Sequence, residues 1–344
     1  MEILPPSQSK VYNTQANVTV SVCMVAYNHA DFIGKAIESV IDQETDFVVN
    51  LVIGEDCSND STRVEIEKYL ERYPSRIQMI TSAINVGAQN NFVRTFHACT
   101  GRYVALLEGD DFWIDKQKLQ KQVDFLDSHP EYAVCAHNLL VVDDKGNSEG
   151  TLVHNGPRTD SYNLLEMAGG NMLATASCLY RNSFTAGPNP SGFPEWFQTV
   201  KIGDYCLHML AARHGMVKYF PDVMGVYRVH GGGAWSQETQ FSQTIMLFEA
   251  LHQLRQEFTD EIEKKLMLQQ FQYLKIITDS DPTKFDAFLQ SHKKQIISLI
   301  SDDYPRTINF LLQSQNSLNS AEYKWGKKLM QPIRKLVDVY RSFK

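Results

Sequence analysis

"VTVSVCMVAYN", residues 18–28, decides the fold. Apolar and β-branched residues run with hardly a break and then stop at a polar turn. A strand apolar on both faces belongs inside a parallel sheet that helices cover on each side. "DFIGKAIESVIDQ" (31–43) follows. It puts Phe32, Ile33, Ala36, Ile37, Val40 and Ile41 on one helical face. Strand, short polar turn and covering helix form the first unit.

The theme repeats outward. "FVVNLVIGED" (47–56) reads as a second buried strand, and "DSTRVEIEKYLERY" (60–73) as a helix with Asp60 as its N-cap. "RIQMITS" (76–82), a helix from about 88, "YVALLEGD" (103–110), a helix around 116–128 and the strand "AVCAHNLLVV" (133–142) continue it. Such alternation predicts an α/β fold with a mostly parallel sheet flanked by helices. Beyond 145 the pattern predicts a strand over "LATASCLYR" (173–181), a helix over "GDYCLHMLAARHG" (203–215) capped by Gly215, and a strand over "VKYFPDVMGVYRVHGGG" (217–233). From about 240 the chain turns polar, glutamine-rich and helix-periodic. The predicted organisation is a tail over 1–17, an α/β domain over 18–238 and a helical C-terminal region over 239–344.

Composition narrows the class. Of 344 residues, 43% are hydrophobic, enough to bury a real core. A net charge of −7 gives no global pull toward nucleic acid. The six cysteines form no C-x-x-C pair, so no zinc ribbon or redox motif is present. Several sit in apolar runs, as in a reducing compartment. The opening "MEILPPSQSK" lacks a basic, apolar leader, and no run is long enough to span a bilayer. The expected location is cytoplasmic. The stretch "YKWGKKLMQPIRKLVDVYRSFK" (323–344) holds seven Lys or Arg against one Asp, with Leu329, Ile333, Leu336, Val337 and Tyr340 at helical spacing. It reads equally as a basic amphipathic helix on an anionic membrane and as a helix packed on the appendage. The first reading adds a peripheral position on the inner face of the plasma membrane.

Ligands of an open parallel sheet collect beyond the carboxyl ends of its strands. Three polar clusters fall there: "AYNH" (26–29), "GEDCSND" (54–60) and "LEGDDFW" (107–113). Carboxylates at i and i+2 on a strand end can hold a hard divalent cation, which can bridge nucleotide phosphates. Taken singly, Asp56, Asp110 and Asp111 read as well as turn or cap residues. Their convergence on one edge is what points to a site.

In this order and spacing the motifs resemble those of the family-two glycosyltransferases, enzymes with a GT-A fold. "VSVCMVAYN" is similar to their opening strand and turn, "VIGEDCSNDST" to Val-Asp-Asp-Gly-Ser-x-Asp-x-Thr, "NVGAQNNF" to their Asn-x-Gly loop and "LEGDD" to their Asp-x-Asp metal motif. The resemblance spans roughly residues 18–235. It implies a nucleotide-sugar donor, in first place a UDP-sugar, and a glycan or lipid-linked acceptor of the bacterial surface-polysaccharide kind. It implies Mn2+ or Mg2+ as cofactor. Tyr27 is expected near the nucleobase, with Ala26 and Asn28 shaping its turn. Asp56 is expected to accept a hydrogen bond from the base, with Glu55 beside it. Asn85 and Gly87 are expected to line the nucleotide pocket. Glu108, Gly109 and Asp110 form the metal motif, Asp110 being the ligand.

The same resemblance makes Asp204 in "KIGDYCLHML" the expected base, deprotonating an acceptor hydroxyl in an inverting attack; Asp is also a common N-cap. Glu195 is the next candidate. His230 in "YRVHGGGAWS" is expected as a further metal ligand, against a structural role. Trp235 and Trp113 read either as sugar-stacking or as packing residues, and His137 and His208 as packing. There are departures. Val25 and Ala26 replace Pro-Thr, Glu108 replaces the first Asp, and Asn91, Phe92 and Val93 stand where the family has Ala-Arg-Asn. Arg94, one position on, reads better as an ion-pair residue than as a phosphate ligand. Two rival classes are a sugar nucleotidyltransferase, whose Gly-rich loop is missing from "AYNHADF", and a non-catalytic sugar- or nucleotide-binding module.

Overall fold

The computed structural model describes residues 18–156, 159–182, 192–233, 235–280 and 282–301. It divides into two compact units, one ending at Gln237 and the other starting at Glu238. The first is built on one sheet. Its strands are β1 (Val18–Ala26), β2 (Val48–Glu55), β3 (Ile77–Thr81), β4 (Tyr103–Glu108), β5 (Phe112–Trp113), β6 (Tyr132–Val142), β7 (Ser161–Tyr162), β8 (Leu179–Arg181) and β9 (Met216–Arg228). Their order is β3-β2-β1-β4-β8-β6-β9-β5, with β7 paired to β9.

β1 lies parallel between β2 and β4, and β3 runs parallel beyond β2. Burial on both faces follows from that position. Val20, Val22 and Met24 are fully buried, and so is Ser21 on the other face. Ser21 Oγ accepts a hydrogen bond from Gly101 N at 2.9 Å, which satisfies a polar group in the interior. The helices α1 (Ile33–Ile41), α2 (Thr62–Arg72), α3 (Ala88–His97), α4 (Lys118–Ser128), α5 (Leu164–Met167) and α6 (Gly203–Ala212) complete this unit. α1 buries Ile33, Ala36, Ile37 and Val40. Each of the larger three contributes about 1.5–3 kcal/mol on that account.

The structure corrects several sequence expectations. α2 begins at Thr62 with Ser61 at its N-cap position, so Asp60 sits one residue earlier. Asp60 still accepts from Thr62 N at 2.9 Å, and its other oxygen takes Ala30 N at 3.1 Å. Only Leu179–Arg181 of the stretch 173–181 is strand; Thr175–Ser177 is a 3-10 turn. β8 enters antiparallel between β4 and β6, so the sheet is parallel over its first four strands and mixed beyond. α6 ends at Ala212 with Arg213 as C-cap. Gly215 has a packing reason instead: a Cβ there would lie 2.6 Å from the Glu131 carbonyl oxygen.

The second unit contains α7 (Gln240–Glu257), α8 (Asp260–Thr278) and α9 (Pro282–Ser301). Phe248, Met267, Phe271, Leu274, Ile277, Phe288 and Ile296 form its core. Among the described residues no helix is long and apolar enough to cross a membrane. The tail 1–17 and the basic stretch 323–344 lie outside the described residues.

At Gly54, β2 packs close against α3. A Cβ there would sit 1.9 Å from Thr95 Oγ1 and 2.8 Å from Asn91 Oδ1. Gly54→Ala should therefore destabilise the first unit by about 1–3 kcal/mol, the scale of core overpacking. A thermal melt checks this, and adding Thr95→Ala should recover part of the loss.

Candidate active site

Strand register sets the site. Val25 pairs with Glu108 and Ala26 with Glu55, so β1, β2 and β4 end level. The chain then turns at Asn28, which adopts the left-handed region at φ 57°. Asn28 N donates to Ser58 Oγ at 3.0 Å, and Asn28 Oδ1 accepts from Asn59 N at 2.9 Å. Asn59 Nδ2 also donates to the Tyr27 hydroxyl at 3.2 Å. The turns after β1 and β2 are thereby knit together, with the Tyr27 ring 40% exposed on their surface. Ala26 is buried and contributes its carbonyl, which accepts from Asp56 N at 3.0 Å.

The carboxylate of Asp56 is 2% exposed. Its oxygens accept from Val86 N at 2.8 Å and Gly87 N at 3.0 Å, so it holds the Asn85–Gly87 loop. Gly87 has φ 86°, a conformation that favours glycine. Asn85 Oδ1 accepts from the same Gly87 N at 2.9 Å. Glu55 is fully buried. It takes Ser58 N at 2.6 Å, Thr81 Oγ1 at 2.9 Å and Arg63 Nε at 3.1 Å. Its carboxylate is a brace below the cleft, not a surface of it. Arg94 and Asn91 are braces too. Asn91 Nδ2 donates to Gly54 O at 2.7 Å, while Arg94 Nη2 donates to Glu55 O at 2.9 Å and lies 3.6 Å from Asp56.

At the ends of β1, β4 and β9 three side chains converge. Asp110 Oδ2 lies 2.9 Å from His230 Nε2 and 3.6 Å from His29 Nε2. One donor atom from each residue falls within 4.8 Å of the others, a spacing that could hold a metal ion. Burial pushes the Asp110 carboxyl up, but the His230 hydrogen bond and the His29 charge bring it below the usual carboxylate range. Burial lowers His29, favouring the neutral, ligating imidazole. The donor chemistry fits a borderline divalent cation such as Mn2+ better than Mg2+, which prefers oxygen alone. Buried Glu108 Oε2 and His29 Nδ1 have no hydrogen-bond partner, a further sign that the polar cluster is not complete in itself. Burial first, and then the Asp110 charge, push Glu108 up to about 8.

Gly109 has a steric role. A Cβ there would lie 2.8 Å from His29 Nδ1 and 2.8 Å from Ile33 Cδ1. Asp111 turns inward, where its Oδ1 accepts from Arg228 N at 2.8 Å. Trp113 is 4% exposed and donates to Ala176 O at 2.8 Å, so it belongs to the core; Trp235 is 44% exposed. His137 and His208 are fully buried, His208 Nδ1 lying 2.7 Å from the Tyr180 hydroxyl.

Asp204 lies in the first turn of α6, whose N-cap position belongs to Ile202, so it is not the cap. Its Oδ2 accepts from Asn171 Nδ2 at 2.7 Å, and its charge is felt at Glu108 and Tyr227. Glu195 is exposed in a 3-10 turn. Sequence reasoning missed His29 and Asn171. For His29 a signal existed: it stands in the polar turn of the first strand, at the same sheet edge as Asp110.

A sheet of this order, with acid and histidine side chains gathered at the ends of β1, β4 and β9, has the GT-A fold. Residues 21–185 match the family model described as Glycosyl transferase family 2. The uncharacterized protein Rv1520 of Mycobacterium tuberculosis (strain ATCC 25618 / H37Rv) is 33% identical over 216 residues, which cover 63% of this chain and 60% of that protein. The chain thus spans less than two thirds of that relative. The Escherichia coli UDP-Glc:alpha-D-GlcNAc-diphosphoundecaprenol beta-1,3-glucosyltransferase WfgD is 34% identical over 107 residues, 31% of this chain and 40% of WfgD. The crystal structure of S. aureus TarS 1-349 in complex with UDP-GlcNAc has a TM-score of 0.63 at 16% identity, covering 95% of this chain and 93% of that one. This last likeness is one of fold.

The Glu55 brace has a pH signature. Burial pushes its carboxyl up, but the bonds from Ser58 and Thr81 and the Arg63 charge outweigh it and leave the group below its ordinary value. A folded pKa below the unfolded value of about 4.3 stabilises at higher pH and is lost as pH falls through the folded value. Melting temperature followed from pH 6 downward should therefore fall less steeply for Glu55→Gln than for the parent, from a lower start at neutral pH. Identical slopes would remove Glu55 from the acid response.

Proposed function

We propose that the chain is a metal-dependent, inverting glycosyltransferase that moves a sugar from a UDP-sugar to a hydroxyl of a glycan or lipid-linked saccharide. The observation that carries this reading is the convergence of His29, Asp110 and His230 at one strand edge, with the Asp204 charge felt at neighbouring Glu108. The family match and the UDP-sugar named for WfgD support it.

In this reading the exposed Tyr27 ring offers a face to the base. Each Asp56 oxygen has a second lone pair for it, beyond those used by the loop amides. Asn85 and Gly87 rim the nucleotide. Two imidazoles and one carboxylate would hold the cation, which would supply charge neutralisation at the leaving diphosphate when bound. Asp204, oriented by Asn171, accepts the proton of the acceptor hydroxyl as its oxygen bonds to the anomeric carbon. The bond from that carbon to the diphosphate oxygen breaks, and the nucleoside diphosphate leaves. The Asp111 carboxylate and Glu108 Oε2 are buried. That leaves Asp204 as the carboxylate toward the acceptor, and a single displacement inverts the centre.

Two experiments test this. Manganese titration followed by electron paramagnetic resonance should show one bound ion. His29→Ala, Asp110→Asn and His230→Ala should each weaken it by at least about tenfold. If His29→Ala binds manganese like the parent, that residue leaves the ligand set.

Asp204→Asn keeps the side-chain shape and the bond to Asn171 but loses the base. Folding and UDP–manganese affinity should hold, while transfer falls by about two to four orders of magnitude. A nucleotide-sugar panel scored for donor cleavage gives the rate. Unchanged turnover would move the base elsewhere, with Glu195 next in line.

A further inference from the structure

Beyond His230 the sheet edge opens into a cavity of about 450 Å3. Asp31, Phe32 and Lys35 line one side, and Asp144, Lys145 and Arg228 the other. Arg228 is its fixed point. The residue is 7% exposed. Its Nε donates to the Asp110 carbonyl at 3.0 Å, and its Nη1 to the Asp143 and Asp144 carbonyls at 3.2 Å each. Among the described residues no carboxylate pairs with this guanidinium, and Nη2 has no hydrogen bond.

The Arg228 charge is felt at the buried Asp111 carboxyl, but no carboxylate of the described residues comes within ion-pair distance of the guanidinium, which carbonyl dipoles and the Phe32 and Phe112 rings hold instead. A second cation stands beside it. Lys35 Nζ lies 3.7 Å from the centroid of the Phe112 ring, and the Arg228 guanidinium 5.6 Å from the same ring. Lys35 has no carboxylate partner among the described residues. Burial and the Arg228 charge lower its pKa, so the two cations oppose one another. Lys145 brings a third. Asp31 and Asp144 are exposed, and neither forms an ion pair with these cations.

The cavity adjoins the metal-type cluster. The Phe32 ring lies 4.7 Å from the Arg228 guanidinium on one side and 4.9 Å from the His230 ring on the other. Asp56 and the Asn85–Gly87 loop lie the other way, toward β2, which four strands, β1, β4, β8 and β6, separate from β9 in the sheet. The cavity is therefore apart from the nucleotide side. We propose that it is an oxyanion subsite that takes a phosphate group carried by the acceptor. The word acceptor rests on the function proposed above; phosphate binding does not.

The test uses inorganic phosphate and pyrophosphate with the full chain, followed by calorimetry and 31P line broadening. EDTA is present, so that no phosphate is held through a metal. By calorimetry, binding should also persist when manganese replaces the EDTA and UDP is saturating. Lys35→Gln should weaken it about three- to tenfold, and Asp144→Asn should strengthen it about two- to fivefold, the scale of part-exposed charge-assisted contacts. Opposite shifts from two folded variants cannot come from misfolding. Equal affinities in parent and both variants overturn the subsite, and displacement by UDP overturns its assignment to the acceptor. In transfer assays, Lys35→Gln should raise KM for a phosphate-bearing acceptor and leave that for its dephosphorylated form unchanged. If Lys35→Gln alters only capture on phosphatidylglycerol vesicles, the cations serve a lipid surface and the subsite fails. If the chain cleaves no nucleotide-sugar yet binds phosphate as described, the glycosyltransferase reading fails and the oxyanion site stands.

Discussion

Everything at the site depends on how β1 is paired. Because β1 lies parallel between β2 and β4 with Val25 opposite Glu108 and Ala26 opposite Glu55, three strands end at one height. Two backbone bonds carry the alignment past the strands: Asp56 N to Ala26 O at 3.0 Å and Gly109 N to Val25 O at 2.9 Å. A slip of one residue would reverse every side chain at those ends. β1 is buried on both faces, yet the slip would still carry the Ser21 hydroxyl away from Gly101 N and exchange the residues that face each layer, so the packing of the core and the aim of the site are one constraint.

The edge also shows why acids at strand ends are ambiguous. Glu55, Asp60 and Asp111 are all consumed by local donors: Arg63 and Ser58, Thr62 and Ala30, and the Arg228 amide. Such bonds hold three adjacent turns in place without touching a ligand. Asp110 differs because its neighbours are imidazoles rather than amides. What separates a brace from a ligand is therefore the company each carboxylate keeps, which only the fold assembles.

Much of this was legible in the chain and some was not. The helices and the long strands announce themselves by periodicity, since burial on one or two faces imposes it. β5 and β8 do not, because two or three residues cannot express a period. Position Asp110, the Asn85–Gly87 loop and His230 follow from motif order. The part of His29 follows from its place on that sheet edge and not from motif order, and only β9 shows its partner by bringing His230 beside it. Glu55 and Gly109 sit inside the motifs yet act by bracing and by leaving room. A one-letter pattern cannot distinguish those duties from contact.

The three converging residues are far apart in the chain, at 29, 110 and 230. Synthesis runs from the amino end, and domains fold as they emerge. A nascent chain that has reached residue 200 can already pair β1, β2 and β4 and close the turns around Tyr27 and Asp56. It holds two of the three donor side chains and lacks the strand that delivers the third. The cluster is thus completed only once β9 has been made. An unfinished polypeptide carries only part of the cluster.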